Sequence, residues 1–590
     1  MEKATQNNYS KAEMKARLEI MEFLARGLGR NYKEEYIFIE YPPEPEMGDY
    51  TVSFFRVAKE SGLNPQEMAK NMAELFETEI AVKKDGRIIA HAKGVGPYLN
   101  FMNDAKRFAD NVVQEILGEG EKYGYSDMGH GKKIMIEYFS PNTNKPLTIG
   151  HVRNICLGYS VSRIYKILGY GVIEATLYND RGIAISKAMA AYLKWGDKAS
   201  PRSENIKGDH FVGKYYVMFG EKLVDDPSME EAAKDILIKW EKGDKKVIQL
   251  WKKMMGWVLD GFSTTLKSLS IHGFDVEYYE SKIYTKGKEI ILKGLGDGIF
   301  KKHPEGYIYA PLEQYGMPDK ILLRSDGTSL YIVQDIYLSI LKSKKNLEQS
   351  IYVVGSEQDL ALRQLFKILE MLGYHLKNIH LSYGMIRLPD GKIKSREGIK
   401  HGTGADELIE NLENSALEEV KKRNGDVSKK KAGEISRIIA LGALKYYILN
   451  VNAKTIVVFD PEKSLSFVGN TGPYLQYVHA RISSILKKSK VKISRRAEFS
   501  SLRTKEEKYL VQHLSKFPSY IQRAAEKFDP SAITLYLYEL ARHFSIFYEN
   551  VPILKVEGKL FSDRIALITA VKQVMACGLK ILGIDAPEKM

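Results

Sequence analysis

The chain has 590 residues, of which 44% are hydrophobic and 27% charged, a composition that excludes collagen, low-complexity sequence and disorder of the whole chain. At this length we expect about three to four soluble domains, each with its own core. The 88 Lys and Arg residues against 74 Asp and Glu leave a net charge of +14, which favours an anionic partner but fits a lysine-rich solvated surface equally well.

Targeting and metal-binding patterns are missing from the sequence. Cys156 and Cys577 are too few for a disulfide framework or a cysteine-based zinc site. The N-terminal residues are polar and charged rather than a secretion signal, and no apolar run reaches the roughly 18 residues of a membrane span. We therefore expect a cytoplasmic protein with no fixed metal site and no membrane partner.

The first part of the chain predicts a mixed α+β domain over 1–117. Its apolar spacing indicates a helix from about Lys11 to Leu28, a strand at Tyr36–Glu40 and a further strand in GPYLNF, 96–101. The first 120 residues carry 16 basic and 20 acidic side chains, so the basic excess lies further along the chain.

Residues 118–403 predict an α/β domain that opens with a glycine-rich, charged linker at 118–133. Two strand–helix–strand patterns follow, each typical of a parallel βαβ unit. They cover 134–136, 157–168 and 172–178 in the first unit, and 351–355, 359–374 and 380–386 in the second. A lysine-rich, mostly helical insertion of roughly 185–275 separates the two units, which we expect to share one parallel sheet.

The last part of the chain, 404–590, predicts an all-helical domain. Its long amphipathic segments lie at 405–423, 432–449, 473–488, 506–527, 531–548 and 561–582. The last 190 residues carry 30 basic and 21 acidic side chains, so this domain shares the basic excess with the α/β domain. Such charge suits an RNA-facing surface without identifying one.

The loop after the first strand of the α/β domain has the chemistry of a nucleotide site. Ligands of parallel sheets lie at the carboxyl ends of strands, beside the start of the next helix. Gly150 lets a ligand approach the backbone closely, His151 can donate to a phosphate, and Lys145 offers a positive charge. By itself, a Gly-His pair more often only caps a helix.

A second loop follows the last strand of the second βαβ unit. It holds Lys392, Lys394 and Arg396 within five positions and is flanked by glycines, which suits a loop that closes over a triphosphate. By itself such a loop is more often a solvated turn. Since one loop opens the α/β domain and the other closes it, the pair indicates a nucleotide site.

Several separated motifs resemble one family in the right order. SPNTNKPLTIGH, 140–151, resembles the first signature of class I aminoacyl-tRNA synthetases as found in arginyl-tRNA synthetase, and KIKSREG, 392–398, resembles their second, lysine-rich signature. MGDYTVSFFRVAK and GPYLNF resemble that family's N-terminal domain. LSFVGNTGPYLQYVHARI and the ending GLKILGIDAPEKM resemble its helical anticodon-binding domain.

The resemblance implies a Rossmann-type class I catalytic domain between an α+β N-terminal domain that binds tRNA and an all-α anticodon-binding domain. It implies activation of L-arginine with ATP to arginyl-adenylate, followed by transfer to the 3′-terminal adenosine of tRNA(Arg). The expected partners are tRNA(Arg), L-arginine and ATP with its Mg²⁺, rather than DNA or a membrane. Members of the family are usually monomeric, so we expect a monomer.

By resemblance, charge on the phosphates would be stabilised by catalytic residues of the two signatures, namely Lys145, His151, Lys392, Lys394 and Arg396. The ATP site would comprise Pro141, Thr148, Ile149, Gly150, His151, Met385 and Ser395. The chain departs from the pattern at Thr148, where the signature has its first histidine, and at Ser395, where it has its final lysine. We hypothesise that Lys145 substitutes for that missing lysine.

The resemblance also gives a site for arginine, whose guanidinium presents five donors and no acceptor. It would be formed by Glu137, Asn142, Tyr331, Asp335 and Gln358. We expect Asp335 to hold the guanidinium, although an aspartate at this place could also be an N-cap of the following helix. A family histidine three residues after Gln358 is Ala361 here, which leaves that corner of the site open.

Tyr474, Tyr477 and Arg481 are candidates for tRNA binding, because aromatic side chains can stack on splayed anticodon bases. Their helical spacing, and that of the nearby His479, is equally typical of a helix core. Two other functions stay open: a class I synthetase for another amino acid, and a catalytically retired tRNA-binding paralogue. The carboxylates of Glu137 and Asp335 argue against a neutral substrate. The retained glycine, histidine, lysine and aspartate of the motifs argue against a retired enzyme.

Overall fold

The computed structural model of the chain describes residues 8–82, 86–387, 389, 404–423, 428–491 and 498–590. The α-helices are α1 (Lys11–Leu28), α2 (Phe55–Ser61), α3 (Pro65–Val82), α4 (Ala105–Glu119), α5 (Ile149–Ile167), α6 (Ile183–Trp195), α7 (Pro201–Glu204), α8 (Gly208–Lys222), α9 (Ser228–Glu241), α10 (Lys245–Ser268), α11 (Glu280–Ile283), α12 (Lys288–Gly296), α13 (Tyr331–Ser343), α14 (Asp359–Met371), α15 (Ala405–Arg423), α16 (Lys429–Leu449), α17 (Pro461–Ser464), α18 (Gly472–Ser489), α19 (Lys505–Ser515), α20 (Phe517–Lys527), α21 (Ser531–Asn550) and α22 (Gly558–Ile581). The strands are β1 (Ile39–Glu40), β2 (Tyr50–Ser53), β3 (Ile89–Val95), β4 (Tyr98–Asn103), β5 (Lys133–Glu137), β6 (Gly171–Tyr178), β7 (Val276–Tyr279), β8 (Lys301–Lys302), β9 (Ile308–Ala310), β10 (Lys320–Leu323), β11 (Gln349–Gly355), β12 (Lys377–Tyr383), β13 (Ile386–Arg387) and β14 (Val457–Val458).

The chain divides into two compact units that differ from the predicted domains. One unit takes the chain up to Met128 together with Phe467–Lys527 and Ala532–Met590, and the other takes Gly129–Ser466 with Phe528–Ser531. The helices α15 and α16, predicted as part of the last domain, therefore fold with the α/β unit. The reason is that β14, which follows them, pairs in parallel with β13 of that unit. The division into functional domains at 117/118 and 403/404 stays a prediction.

The first unit begins with α1, which has the predicted bounds and is capped by the Ser10 side chain. Its antiparallel sheet has the strand order β1-β2-β4-β3. The predicted strand at 96–101 is the second arm of a hairpin, because Gly96 takes a positive φ of 55° and turns the chain between β3 and β4. Only Ile39–Glu40 of the predicted strand at Tyr36–Glu40 pairs as a β-strand, and Glu34–Tyr36 form a 3₁₀ turn.

The same unit contains the helices α18 to α22. The predicted segment 506–527 is two helices, α19 and α20, and Pro518 lies in the first turn of the second one, where a proline is tolerated. Arg564 of α22 forms a buried ion pair with Glu507 of α19, in which Arg564 Nε lies 2.7 Å from Glu507 Oε1. Among the described residues, no helix is long and apolar enough to cross a membrane.

The second unit is built on a five-stranded parallel sheet with the order β12-β11-β5-β6-β7. Both predicted βαβ units are therefore confirmed, and they share one sheet. The chain runs outward from β5 to β6 and β7 on one side, and from β11 to β12 on the other. The direction reverses between β5 and β11, and in such sheets the ligand crevice opens at the carboxyl ends of those two strands. The predicted helical insertion, α6 to α10, lies between β6 and β7.

Candidate active site

The loop 138–148 connects β5 to α5 at this crevice. Phe139 takes a φ of 62°, a left-handed backbone that residues other than glycine rarely adopt. Asn154 of α5 holds it in place: its Oδ1 accepts the Phe139 N–H at 2.5 Å, and its Nδ2 donates to the carbonyl of Val353 in β11 at 2.7 Å. Asn154 therefore fixes the loop against both strands that border the crevice.

Thr148 and His151 form the cap at the start of α5. The backbone N–H of Thr148 donates to Nδ1 of His151 at 3.0 Å. A neutral imidazole whose Nδ1 accepts carries its proton on Nε2, which can then donate to a ligand. Burial lowers the pKa of His151 to about 4, with a further contribution from Lys145. His151 is therefore a neutral hydrogen-bond donor at pH 7, and its capping role leaves Nε2 for a ligand.

Lys145 lies in the same loop and is partly buried. Burial lowers the pKa of its ammonium group. Its positive charge acts on His151, and within the described ranges no carboxylate pairs with it. A desolvated cation without a counterion is poised to bind an anion, since its burial is then offset by the new charge pair.

Gly150 lies between these two residues, and the described residues leave space at its side-chain position. Among them, a Cβ built there meets only Thr148 Oγ1, at an ordinary 3.6 Å, so their packing does not require glycine. This open position is what a close approach by a nucleotide needs. The side chain of Ile149 is fully buried and that of Pro141 is buried too. Of the predicted ATP site, these two residues can therefore offer a ligand little beyond their backbone.

Arg153 of α5 is a residue that the sequence analysis missed. Its fully buried guanidinium donates to the carbonyls of Met385, Ala453 and Thr455 at 3.2, 2.8 and 2.7 Å. Burial lowers its pKa to about 10. Arg153 thus holds Met385, whose side chain is exposed, beside the helix that carries His151. No local pattern in the sequence indicates this role, because the three carbonyls belong to segments far from Arg153 along the chain.

The predicted arginine site begins with Glu137, the last residue of β5. This carboxylate is buried, and its Oε2 lies 2.7 Å from the ammonium of Lys342, which is fully buried in α13. The same ammonium lies 3.9 Å from the centre of the Tyr352 ring. Burial alone would lower the pKa of Lys342, but Glu137 outweighs it and raises the pKa to about 12. Lys342, which the sequence analysis also missed, therefore neutralises and positions Glu137.

Asp335 lies within α13, whose N-cap is Leu330, so the N-cap interpretation of Asp335 is wrong. Asp335 and Lys342 are seven residues apart, which places them on one face of the helix. Burial raises the pKa of Asp335 to about 6; Glu137 adds to the increase, and Lys342 opposes it. The structure therefore brings the two predicted carboxylates into one electrostatic cluster, where a further cation would be favourable.

The other predicted arginine contacts are more exposed. Tyr331 is the first residue of α13 and 76% exposed, one helical turn before Asp335. Gln358 is exposed at the carboxyl end of β11, immediately before α14, and Asn142 is exposed in the loop after β5. These positions lie at the carboxyl ends of the two crevice strands and on the helix of Asp335, and their contacts with arginine stay predictions. Ala361 lies in the first turn of α14.

The second signature cannot be placed. Lys392, Lys394, Ser395 and Arg396 all lie outside the described residues.

The candidate tRNA-binding residues lie on α18 in the other unit. Tyr474 is partly exposed and its hydroxyl lies 3.0 Å from Ser545 Oγ. Arg481 donates to the hydroxyl of Tyr477 at 2.7 Å and stacks at 4.2 Å on the ring of Tyr548. Neither tyrosine is buried, so both can still be reached by a base. His479 behaves differently, because it is buried and contacts the carbonyl of residue 587, which makes it part of the core.

Comparison with known proteins gives matches along nearly the whole chain. Family models described as "tRNA synthetases class I (R), catalytic domain", "Arginyl tRNA synthetase N terminal domain" and "DALR anticodon binding domain" match residues 112–460, 11–102 and 475–590. The arginine–tRNA ligase of Treponema denticola is 44% identical, with 94% of this chain and 95% of that protein covered. The arginine–tRNA ligase of Treponema pallidum is 39% identical, with coverage of 94% and 95%. The solved arginyl-tRNA synthetase of Thermus thermophilus superimposes with a TM-score of 0.81 at 25% identity, over 97% of this chain and 100% of that one.

Proposed function

Because the chain belongs to the arginyl-tRNA synthetase family and is an arginine–tRNA ligase, we propose that Lys145 and His151 stabilise the phosphates of ATP during arginine activation. The enzyme joins L-arginine to tRNA(Arg) at the expense of ATP. The arginine carboxylate attacks the α-phosphorus to give arginyl-adenylate and pyrophosphate, and the arginyl group then passes to the 3′-terminal adenosine with release of AMP. Such phosphoryl chemistry depends on positioning and on cationic stabilisation more than on a covalent catalyst.

The observation that carries this proposal is the partly buried Lys145, which has no counterion among the described residues and lies in the loop at the switch point of the sheet. His151 would add a neutral donor through Nε2 at the start of α5, where the helix dipole also favours an anion. Gly150 would leave room for the nucleotide beside them. In this arrangement Lys145 would supply the charge that the class I pattern takes from the final lysine of its second signature, a position that is Ser395 here.

For arginine, we propose that Asp335 binds the guanidinium and that Lys342 keeps Glu137 in place beside it. The ammonium of Lys342 pairs with Glu137, and Asp335 forms no ion pair among the described residues, so a guanidinium would supply its partner. A neutral substrate would leave the partly buried Asp335 without such a partner. This supports arginine over other amino acids, and the ligase relatives give no support to a retired paralogue or to another amino acid.

The proposal extends to the second signature, the tRNA contacts and the assembly of the enzyme. Lys392, Lys394 and Arg396 would add positive charge around the phosphates, and Mg²⁺ would enter bound to ATP. Tyr474, Tyr477 and Arg481 would contact tRNA(Arg). We also propose a cytoplasmic, monomeric enzyme.

The proposal is tested by arginine-dependent exchange of pyrophosphate into ATP, measured with and without tRNA(Arg). The family generally requires tRNA for this step, so we expect exchange only when tRNA is present. Lys145→Ala should lower kcat for exchange by about 10²- to 10³-fold, the usual cost of removing one preorganised charge-stabilising group. Lys145→Met should lower kcat by a similar factor, although its side chain fills about the same space as lysine.

Lys132→Ala is the matched control, because Lys132 pairs with Glu348 at the opposite end of the sheet. It should leave exchange unchanged. Full exchange by Lys145→Ala would remove Lys145 from the mechanism. Exchange driven by another amino acid instead of arginine would contradict the substrate assignment.

A further inference from the structure

The insertion between β6 and β7 contacts the start of α15 through a cluster of charged groups around Asp406. Lys207, which precedes α8, forms an ion pair with Asp406 Oδ2, and His210 Nε2 of α8 donates to the same oxygen at 2.8 Å. Thr265 of α10 donates to Asp406 Oδ1 at 2.9 Å. We call these four residues the Asp406 clamp. Three of them belong to the insertion.

The positive charge of the clamp comes from the ammonium of Lys207, at the place where a metal ion could otherwise bind. Asp209, His210 and Asp406 lie close enough together to suggest a metal site. However, the ammonium of Lys207 already pairs with Asp406 and lies 3.3 Å from Asp209 Oδ2. Burial opposes ionisation of Asp406, but the hydrogen bonds from His210 and Lys207 outweigh it and lower the pKa to about 2. The Asp406 carboxylate therefore stays charged and paired at physiological pH.

The insertion side of the clamp is closely packed, because its two helices meet through glycines. A Cβ at Gly208 would lie 2.0 Å from the backbone oxygen of Trp257, and one at Gly261 would lie 2.3 Å from Asp209 Oδ1. The backbones of α8 and α10 thus approach as closely as they can. Lys207 and Thr265 keep a fixed spacing for Asp406, with their own polar atoms 2.6 Å apart.

Both helices that the clamp joins also contact the loop that carries Lys145. On one side, a Cβ at Gly213 of α8 would lie 2.6 Å from Cδ of Pro146, so α8 packs directly on the loop. On the other side, the N–H of Ala405 donates to the carbonyl of Leu147 at 2.9 Å, and Gly404 forms a β-bridge with Thr148. The loop is therefore held between α8 and α15.

We infer that Asp406 is a positioning residue for adenylate formation, because the clamp fixes the distance between α8 and α15 and thereby the place of Lys145 and Thr148 between them. The inference rests on the proposed role of Lys145 and gives the insertion a function in the chemical step. A reacting group displaced by about 1 Å can lose about 10²-fold in rate, so a loosened clamp should be visible in kcat.

The first test is Asp406→Asn, which keeps the shape of the side chain and leaves Lys207 its second carboxylate, Asp209. We expect kcat for tRNA-dependent exchange to fall by about ten- to a hundredfold, while KM for arginine stays near that of the unmodified enzyme. The thermal unfolding midpoint should also fall, because the lowered pKa of Asp406 means that its charge stabilises the folded protein. Gly213→Ala should also lower kcat, because the added methyl on α8 must displace Pro146 of the loop that carries Lys145.

Asp226→Asn is a matched control within the insertion. Asp226 also pairs with a lysine and a hydroxyl, Lys194 and Ser228, and its side chain is 32% exposed against 28% for Asp406. It contacts neither α15 nor the loop, so its kcat should not change. Wild-type kcat in Asp406→Asn would overturn the inference, as would an equal fall of kcat in Asp226→Asn. If Lys145→Ala is inactive while Asp406→Asn is normal, only the clamp fails; if Lys145→Ala is fully active, the proposed role of Lys145 fails first.

Discussion

The ionisation of Asp335 gives a prediction that joins the structure to the specificity for arginine. Asp335 must be a carboxylate to pair with the guanidinium, yet its pKa in the protein is raised to about 6 from the ordinary 3.8. Since kcat/KM follows the ionisation of the free enzyme, kcat/KM for arginine should rise with pH as Asp335 ionises near pH 6. Burial raises the pKa of the nearby Glu280 to about 7, so its ionisation can extend the rise above that pH. At pH 5 only about one molecule in eleven carries the charge, so kcat/KM should be about tenfold lower than at pH 8.

The same shift predicts an effect on stability. Because the folded pKa lies above the ordinary value, the charged form is disfavoured in the folded protein, and the cost appears as pH rises through the range from 3.8 to 6. This difference between the two pKa values, roughly two pH units, corresponds to a loss of at most about 3 kcal/mol in the free energy of unfolding at pH 7. Asp335→Asn should therefore bind arginine poorly while unfolding at the same or a higher temperature.

The assay is tRNA-dependent exchange from pH 5 to 8 at saturating ATP, with thermal unfolding measured in parallel. His151, whose pKa lies near 4, keeps one charge state over this range and does not contribute a step. Glu348→Gln, at the opposite end of the sheet, should keep the full pH profile of the unmodified enzyme. A flat profile in the wild-type enzyme, or the same step in Asp335→Asn, would refute the reasoning.

Two further substitutions test the site. Gly150→Ala should raise KM for ATP about tenfold or more without changing the unfolding midpoint, because the added methyl enters space that the described residues leave open. Gly433→Ala, at another open helix position, is the control and should leave KM for ATP unchanged. An unchanged KM in both variants would contradict a close approach of ATP to Gly150. Arg153→Met leaves three backbone carbonyls without their buried donor and should lower the free energy of unfolding by about 2–4 kcal/mol in urea titrations. Arg163→Met on the same helix removes stacking on the buried Tyr159 and one hydrogen bond to its hydroxyl, so it leaves one polar group without its donor instead of three and should cost less. Equal losses would contradict the role given to Arg153.

Local patterns in the sequence determined the main elements of the fold. The helices at Lys11–Leu28 and Ala405–Arg423 have the predicted bounds, because helical periodicity and end signals are properties of neighbouring residues. The short apolar strands predicted the parallel βαβ units, and the motif order identified the family. The segment 506–527 was predicted as one helix but is two, since a helical pattern continues across a break that Pro518 tolerates.

The sequence also placed Lys145, Gly150 and His151 on one loop, since they are neighbours along the chain. Only the tertiary structure decided which charges in the site are already paired. Lys342 meets Glu137, and Lys207 meets Asp406, across some two hundred residues of chain in each case. Such pairs form only when packing has closed the intervening loops, and no local pattern records them. For the same reason, the sequence could name Asp335 but not the neighbours that raise its pKa. Nor did it show that α15 packs in the same compact unit as the parallel sheet.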